Sequence, residues 1–390
     1  MEGVTYQIDN EQLVIYLSGR VDASNASLVE EKITDALTDA PGNEVVIDAE
    51  QLEYISSAGL RIFLRMRKKK LELTILNVCP EVYDILEMTG FTEMMTVQKG
   101  YRHLSVEGCN VIGRGANGII YRYDAETIVK VYLQADALPD IQRERELARK
   151  ALVMGINTAI PYDVVRVGKG YGTVMELLEA SSLSQTIRED PEHLDKAVEI
   201  FVGLLRQIHE TQVEPESLPD MKQVALKWVD FDRNYLPEEI SSKLCTLVET
   251  VPACNTMLHG DYHPNNVMMR DGEAILIDMD TLCMGHPVFE LGSIFNALVG
   301  FGELNHEEIM RFLRVPFEVT SVFWHKVLMA YLDTEDPERI TEVENKAKII
   351  GYARLLRRAI RRDEPDREEM TAHCREQLSR LVPAVDTLDF

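Results

Sequence analysis

The stretch His259-Gly260-Asp261-Tyr262-His263-Pro264-Asn265-Asn266, followed by Ile275-Leu276-Ile277-Asp278-Met279-Asp280, constrains this chain more than any other feature. An aspartate and an asparagine five residues apart on one loop can divide two tasks. Asp261 accepts the proton of a hydroxyl or orients that hydroxyl, while Asn266 offers an oxygen to a divalent cation. A short hairpin through Asp271-Gly272 returns the chain to a strand ending at Asp278, which brings a second hard-oxygen ligand opposite the first. One such loop alone is an ordinary capped turn. The two segments together, behind the signals upstream, point to phosphate chemistry.

Three signals precede them. Gly113-Arg114-Gly115-Ala116-Asn117-Gly118 is a GxGxxG stretch between apolar residues. Such glycines let a hairpin fold closely over a polyphosphate, and a second strand, not a helix, follows. Alone it is weak, since glycine-rich hairpin turns are common. Lys130 interrupts the apolar strand Thr127-Ile128-Val129-Lys130-Val131-Tyr132, a costly place for a lysine unless it meets anions. An edge-strand lysine is the bland alternative. The helix expected from Pro139 to about Met154 puts Ile141, Glu144, Leu147, Ala148 and Ala151 on one face. Glu144 is therefore the natural ion-pair partner for Lys130, with Glu146 as runner-up.

The order is that of nucleotide phosphoryl transfer, but not of eukaryotic-type protein kinases. The loop reads His-Gly-Asp, Met279-Asp280 follows Asp278, and Gly285-His286-Pro287-Val288-Phe289-Glu290-Leu291 comes directly after, with no long activation segment. These motifs resemble the aminoglycoside phosphotransferase and choline kinase-like family, over roughly residues 105–300 by motif. The resemblance implies a protein-kinase-like domain over 105–390, with an N-lobe of about 105–178 and a C-lobe of about 179–390. It implies ATP and Mg²⁺ as cofactors and transfer of the γ-phosphoryl to a hydroxyl, more often of a small molecule than of a protein. Carried over by position, Asp261 is the catalytic aspartate, Lys130 contacts phosphate and Glu144 pairs with it. Asn266 and Asp278 bind the metal, Gly113, Gly115 and Gly118 cover the nucleotide, and Met175 and Glu176 fall where adenine is contacted. Substrate choice in the family belongs to the helical region, here about 290–390. Glu364, Asp366, Glu368 and Glu369 offer acids for a polycation, but are more simply solvated partners of Arg361, Arg362 and Arg367. Trp228 and Trp324 offer faces for a quaternary amine, with core packing as the simpler use.

Residues 1–100 have a different grammar. Leu13–Leu17, Glu44–Asp48 and Leu73–Asn77 have strand patterns, the second with a continuous apolar centre that suits a central position. Ala23–Leu37, Ser57–Lys70 and Val82–Thr89 have helical spacing, the first ending before Pro41-Gly42. A small βα sheet domain is expected. The stretch Tyr54-Ile55-Ser56-Ser57-Ala58-Gly59-Leu60, with LSGRVDASNA before it and ILEMTGF after, resembles STAS domains of anti-sigma factor antagonists. The resemblance implies phosphorylation of Ser57 at the head of a helix and an anti-sigma factor as partner. A phosphoserine there would face unpaired N–H groups and the positive helix end. An N-cap role for Ser56 or Ser57 is the plain alternative. Residues 96–108 read as a polar connector.

At 390 residues the chain is long for one core, which fits a fold class of α/β and α+β parts in sequence. Its net charge of −24 argues against unspecific nucleic-acid or anionic-membrane binding. The basic clusters Arg65–Lys70 and Arg354–Arg362 read as solvated helix faces or ends. Apolar runs are strand length, the six cysteines show no CxxC pair, and no secretory leader is visible, so a cytoplasmic protein is expected. The combined reading is a STAS module fused to an active phosphotransferase. The alternative is a signalling adaptor whose kinase-like domain senses nucleotide or metabolite, or phosphorylates Ser57 or a partner.

Overall fold

The computed structural model describes residues 3–9, 12–39, 44–69, 72–115, 117–135, 137–362 and 366–390. It divides into two compact units, residues 1–105 with 164–169 and residues 106–163 with 170–390.

The first unit runs β1 (Val4–Asp9), β2 (Gln12–Val21), α1 (Ala26–Asp39), β3 (Glu44–Ile55), α2 (Ser57–Lys68), β4 (Glu72–Val78), α3 (Pro80–Met88), α4 (Phe91–Met94) and β5 (Thr96–Lys99). The sheet order is β1-β2-β3-β4-β5, antiparallel between β1 and β2 and parallel from β2 onward. β3 is the central strand, and its buried Val45 and Ile47 join Ile15, Ile33, Phe63 and Ile75 in one core. α1 starts three residues later than its apolar spacing predicts. Asp22 and Asn25 tie the preceding turn: Ser24 N–H donates to Asp22 and Asn25 Nδ2 donates to the Arg20 carbonyl. These short polar side chains compete with the helix for the same backbone groups. α2 ends at Lys68 with Lys69 as its C-cap, while Lys70, like Pro41-Gly42, lies outside the described residues. The stretch expected as connector begins with a true strand, since Thr96 and Val97 pair with Thr74 and Ile75.

The second unit opens with β6 (Asn110–Arg114), β7 (Gly118–Arg122), β8 (Thr127–Tyr132), α5 (Leu138–Val153), β9 (Pro161–Val167) and β10 (Gly170–Glu176). Its sheet order is β6-β7-β8-β10-β9. β11 (Ser181–Ser182) and helices α6 (Leu183–Glu189), α7 (Asp195–Glu210), α8 (Met221–Asp232) and α9 (Glu238–Thr250) follow. Short strands β12 (Met257–Leu258), β13 (Val267–Arg270), β14 (Glu273–Leu276) and β15 (Cys283–Met284) carry the Asp261 and Asp278 loops between them. Helices α10 (Pro287–Leu298), α11 (His306–Leu313), α12 (Phe317–Leu332), α13 (Pro337–Arg361) and α14 (Arg367–Leu381) complete the chain.

α10 and α13 cross at close range because both present a glycine. A Cβ at Gly292 would lie 2.7 Å from Ile350 Cγ2, and one at Gly351 would lie 2.7 Å from Phe295 Cδ1. Asn296 Nδ2 spans the crossing to the Gly351 carbonyl at 3.0 Å. This contact sets the depth of α13 and therefore where its arginines emerge. All six cysteines are free, and among the described residues no helix is long and apolar enough to cross a membrane.

Candidate active site

Lys130 sits on β8 and Glu144 on the inward face of α5. Their side chains meet, Lys130 Nζ to Glu144 Oε1, at 2.7 Å with both largely buried. Glu146 instead pairs with Lys150 one turn on, at 3.0 Å. The other Glu144 oxygen accepts a 2.6 Å hydrogen bond from Tyr132, two residues beyond Lys130 on the same strand face. Lys130 Nζ also lies 3.7 Å from Asp278 Oδ1. Burial alone would lower the lysine pKa; the Glu144 and Asp278 carboxylates more than reverse this and raise it. The ammonium is therefore a fixed charge at the mouth of the cleft.

The hairpin of β6 and β7 lies beside it. Gly113 belongs to β6, Gly118 opens β7, and Gly115 N–H donates to the Gly118 carbonyl at 2.9 Å. Ala116 lies outside the described residues. Met175 and Glu176 are the last residues of β10. Met175 lines a small cavity with Glu144 and Asp278. The Glu176 N–H is taken by the Ile160 carbonyl at 3.1 Å and its carboxylate by Arg270 at 2.6 Å. The side chain of Glu176 is thus a strut between strands.

Asp261 is held by a network that begins at α10. Glu290, fully buried in the first turn of that helix, accepts the His259 N–H at 2.6 Å and the Gly260 N–H at 3.0 Å. Burial would raise its pKa, but His209, His259 and the backbone N–H groups hold it below the ordinary value. The His259 ring donates from Nε2 to the Ile277 carbonyl at 3.1 Å and accepts the Asp261 N–H at Nδ1 at 3.3 Å. One histidine thereby joins the Asp261 loop to the Asp278 segment. Gly260 has φ +82, and a Cβ there would run into the Thr281 carbonyl. Both facts demand glycine. Its carbonyl accepts from Arg354 Nη1 at 2.9 Å and Ser293 Oγ at 3.2 Å.

The Asp261 carboxylate stands between the His263 ring and the Arg354 guanidinium. His263 Nε2 is 3.6 Å from Oδ2 and Arg354 Nη2 is 3.5 Å from Oδ1. Burial would raise its pKa, but these neighbours carry it well below the usual carboxylate range. Asn266, nearly buried, donates from Nδ2 to the Asp261 carbonyl at 3.0 Å, which leaves Oδ1 as its acceptor. Asp278 has φ +66, an uncommon conformation for a non-glycine residue and one that clusters at functional sites. Asp280 follows, its pKa pushed up to about 7 by burial and by the Asp278 and Glu144 carboxylates.

The donor set fits a divalent cation. Asn266 and Asp278 supply hard oxygens, and the carboxylates around Asp280 repel one another as they would where a cation balances them. Among the described residues no three His, Cys, Asp or Glu side chains converge as a closed cage. Glu290, Arg354, Ser293, Tyr132 and Asp280 received no role from the sequence alone. Tyr132 and Glu290 were legible, as an i+2 strand neighbour and an acid in the first turn of a proline-started helix. Arg354 lies 94 residues from Gly260 and carried no such signal.

Ser56 is the N-cap of α2: its Oγ accepts the Ala58 N–H at 3.2 Å. Ser57 is the first helical residue and is exposed, so its hydroxyl is not spent on capping. Trp324 is a core residue whose Nε1 donates to Glu344 at 3.1 Å. Trp228 faces the guanidinium of Arg354, 5.7 Å from its ring centroid.

Comparison with known proteins gives two family matches. The family described as "Phosphotransferase enzyme family" matches residues 112–314, and the STAS domain matches residues 4–105. BtrV of Bordetella bronchiseptica, named as an anti-sigma factor antagonist, is 35% identical over 89 residues, which is 22% of this chain and 76% of that protein. The anti-sigma F factor antagonist of Paenibacillus polymyxa is 26% identical over 89 residues, with the same coverage of 22% and 76%. Among solved structures, ADP-bound aminoglycoside phosphotransferase APH(2'')-Ib aligns at TM-score 0.49 and 14% identity, over 80% of this chain and 99% of that one. The apo form of a thermostable mutant of aminoglycoside phosphotransferase APH(4)-Ia aligns at TM-score 0.48 and 11% identity, over 71% and 94%.

Proposed function

Because this chain belongs to the phosphotransferase enzyme family and carries a STAS domain ahead of its phosphotransferase domain, we propose that it transfers the γ-phosphoryl of ATP to a hydroxyl, with Mg²⁺, under the influence of the STAS module. One observation carries the reading. Lys130 Nζ lies 2.7 Å from Glu144 and 3.7 Å from Asp278, and Asp278 lines one groove with Asp261 and Asn266.

In this reading Glu144 fixes the Lys130 ammonium where it meets the α- and β-phosphates, and the hairpin of β6 and β7 offers backbone N–H groups from above. Asn266 and Asp278 would hold Mg²⁺, which would supply neutralisation of the charge developing on the phosphates. Asp261 is ionised at neutral pH, so it accepts the hydrogen bond of the acceptor hydroxyl and aims that oxygen at the γ-phosphorus. A carboxylate held so acidic is a weak base, and the proton reaches it late, as bonding to phosphorus develops. Glu290 and His259 keep the loop rigid, and positioning of this kind supplies much of the rate in phosphoryl transfer. α10 begins at Pro287, soon after Asp278, and leaves no long segment for docking a peptide. A small-molecule acceptor is favoured for that reason.

The test is γ-labelled ATP and Mg²⁺ with the purified full chain and a mixture of hydroxyl compounds, beside Asp261→Ala. Turnover should fall at least about 10³-fold in the variant, with ATP affinity within about threefold. Equal turnover would remove Asp261 from the chemistry. A second reading is favoured by the exposed Ser57: the STAS module docks an anti-sigma factor-type partner, and phosphate on Ser57 switches that contact.

A further inference from the structure

We propose that the hydroxyl acceptor is an anion, a small phosphorylated or carboxylated compound seated in a guanidinium-lined groove that opens beside Asp261. The proposal rests on the phosphotransferase reading for its chemistry but on a separate set of residues for its evidence.

A groove of about 1100 Å³ has Asp261, Asn266 and Asp278 at one end. Along it run Arg354, Arg357, Arg358 and Arg361 of α13, spaced i, i+3, i+4 and i+7 and so on one face of the helix. At 1.5 Å per residue this row extends roughly 10 Å from the Asp261 carboxylate. Arg311 of α11 and Arg367 of α14 line the same groove. With Arg114 and Arg362, eight arginines among the described residues line it against four acids. Of those acids, Asp261 and Asp278 belong to the transfer site, and Glu308 is bound to Arg311 at 2.5 Å. This concentration of positive charge occurs in a chain of net charge −24.

The Arg354–Arg362 run is only in part the solvated helix face or end its sequence predicts, with Arg361 and Arg362 exposed. Arg354, Arg357 and Arg358 are half-buried. Arg358 lies over the Phe301 ring at 4.6 Å and Arg354 over Trp228 at 5.7 Å, which holds both planar forks in place. Burial and the charges of Arg361 and Arg354 weigh on Arg357 and lower its pKa. Like charges gathered in a half-buried groove oppose one another, and an oxyanion ligand relieves that opposition with bidentate hydrogen bonds. A polycationic amino sugar meets the wrong sign along the α13 wall. Among the described residues no ion pair joins Glu368 or Glu369 to Arg361 or Arg367, and Glu364 lies outside the described residues. Trp228 already faces a guanidinium of its own chain, a like charge that a quaternary amine would have to approach. A large polyanion would also have to approach an acidic molecule, whereas a small one fits within the groove.

Trp228 lines the groove while the chain's other tryptophan, Trp324, is core, so intrinsic fluorescence reports occupancy without turnover. We would titrate the full chain at low salt with fructose 1,6-bisphosphate, glucose and kanamycin, beside Arg361→Glu and Arg311→Gln, each checked for an unchanged thermal melt. The bisphosphate should give a saturable change that weakens about tenfold or more in each variant and with added salt, and the other two should give none. Equal titration by kanamycin, no titration by the bisphosphate, or titration indifferent to both variants would overturn the proposal. Titration by heparin in place of the sugar bisphosphate would replace a small anion with a macromolecular one and overturn it as well. ATP consumption with anionic, neutral and cationic hydroxyl compounds separates the two levels. Asp261-dependent turnover of neutral or cationic compounds alone refutes the anionic acceptor and leaves the phosphotransferase. Bisphosphate titration lost in Arg361→Glu, with no Asp261-dependent turnover of any compound, supports the groove and refutes the enzyme.

Discussion

Glu290→Gln should damage both stability and catalysis, through a group that touches neither nucleotide nor acceptor in the proposed arrangement. The wild-type carboxylate is fully buried and accepts two backbone N–H groups, from His259 at 2.6 Å and Gly260 at 3.0 Å. An amide of the same shape has one oxygen. It can keep one of these bonds, while its NH₂ group must face the other N–H. A hydrogen bond to a charged group contributes about 1.5–3 kcal/mol, and the orphaned buried donor costs a further 1–3 kcal/mol. Removing a buried charge returns some desolvation energy, so the net loss should be about 3 kcal/mol. The strain falls on Gly260, next to Asp261, whose loop has no slack because its φ of +82 and the Thr281 carbonyl fix it. A displacement of an ångström or less at Asp261 should cost about 10²-fold in kcat, with KM for ATP changed little. Urea unfolding and steady-state kinetics check the two numbers. Stability within about 0.5 kcal/mol of wild type, together with kcat within twofold, would refute the reasoning that Glu290 positions the loop. Wild-type stability should also fall in acid: the folded pKa of Glu290 is depressed, so its contribution is present above the ordinary 4.5 and lost as pH falls through the folded value.

Three further outcomes are expected. Lys130→Ala leaves Glu144 with only Tyr132 as partner, and should raise KM for ATP or lower kcat by at least about tenfold in steady-state assays; unchanged kinetics would take Lys130 out of the site. Asp232 is fully buried, neither of its oxygens has a hydrogen-bond partner, and burial pushes its pKa up to about 8 against the opposing charge of Arg357. The folded state therefore holds a proton that the unfolded state releases near pH 4, so stability should decline from about pH 4 to 8, by at most roughly 6 kcal/mol, and Asp232→Asn should flatten that slope in denaturant titrations. Ser57→Ala should abolish label uptake on the STAS module where a kinase acts there, and undiminished labelling in mass-resolved peptides would exclude the site.

How much of this was legible before the structure depends on whether a residue's environment is written nearby in the chain. Asp261, Asn266 and Asp278 stand in one local motif, and Glu144 was assigned by helical spacing alone, which separated it from Glu146 without any coordinates. Ser56 and Ser57 were ambiguous because both residues can cap; only the backbone angles of Ser56 decided it. Arg354, Arg357 and Arg358 of α13 were misread for a different reason. A basic run at a helix end looks the same whether water or a groove faces it. The signal that distinguishes the cases lies in the residues between the arginines: Leu355, Leu356, Ala359 and Ile360 are all buried, as are Gly351, Tyr352 and Ala353. A helix apolar on so much of its circumference is wrapped by protein, so the strip left to its arginines begins half-buried at Arg354 and reaches solvent only at Arg361. What no pattern supplies is the Gly292–Gly351 crossing that brings Arg354 to the Gly260 carbonyl. That crossing converts a charged strip into the wall of the acceptor groove, and it follows from two helices meeting, not from either sequence alone.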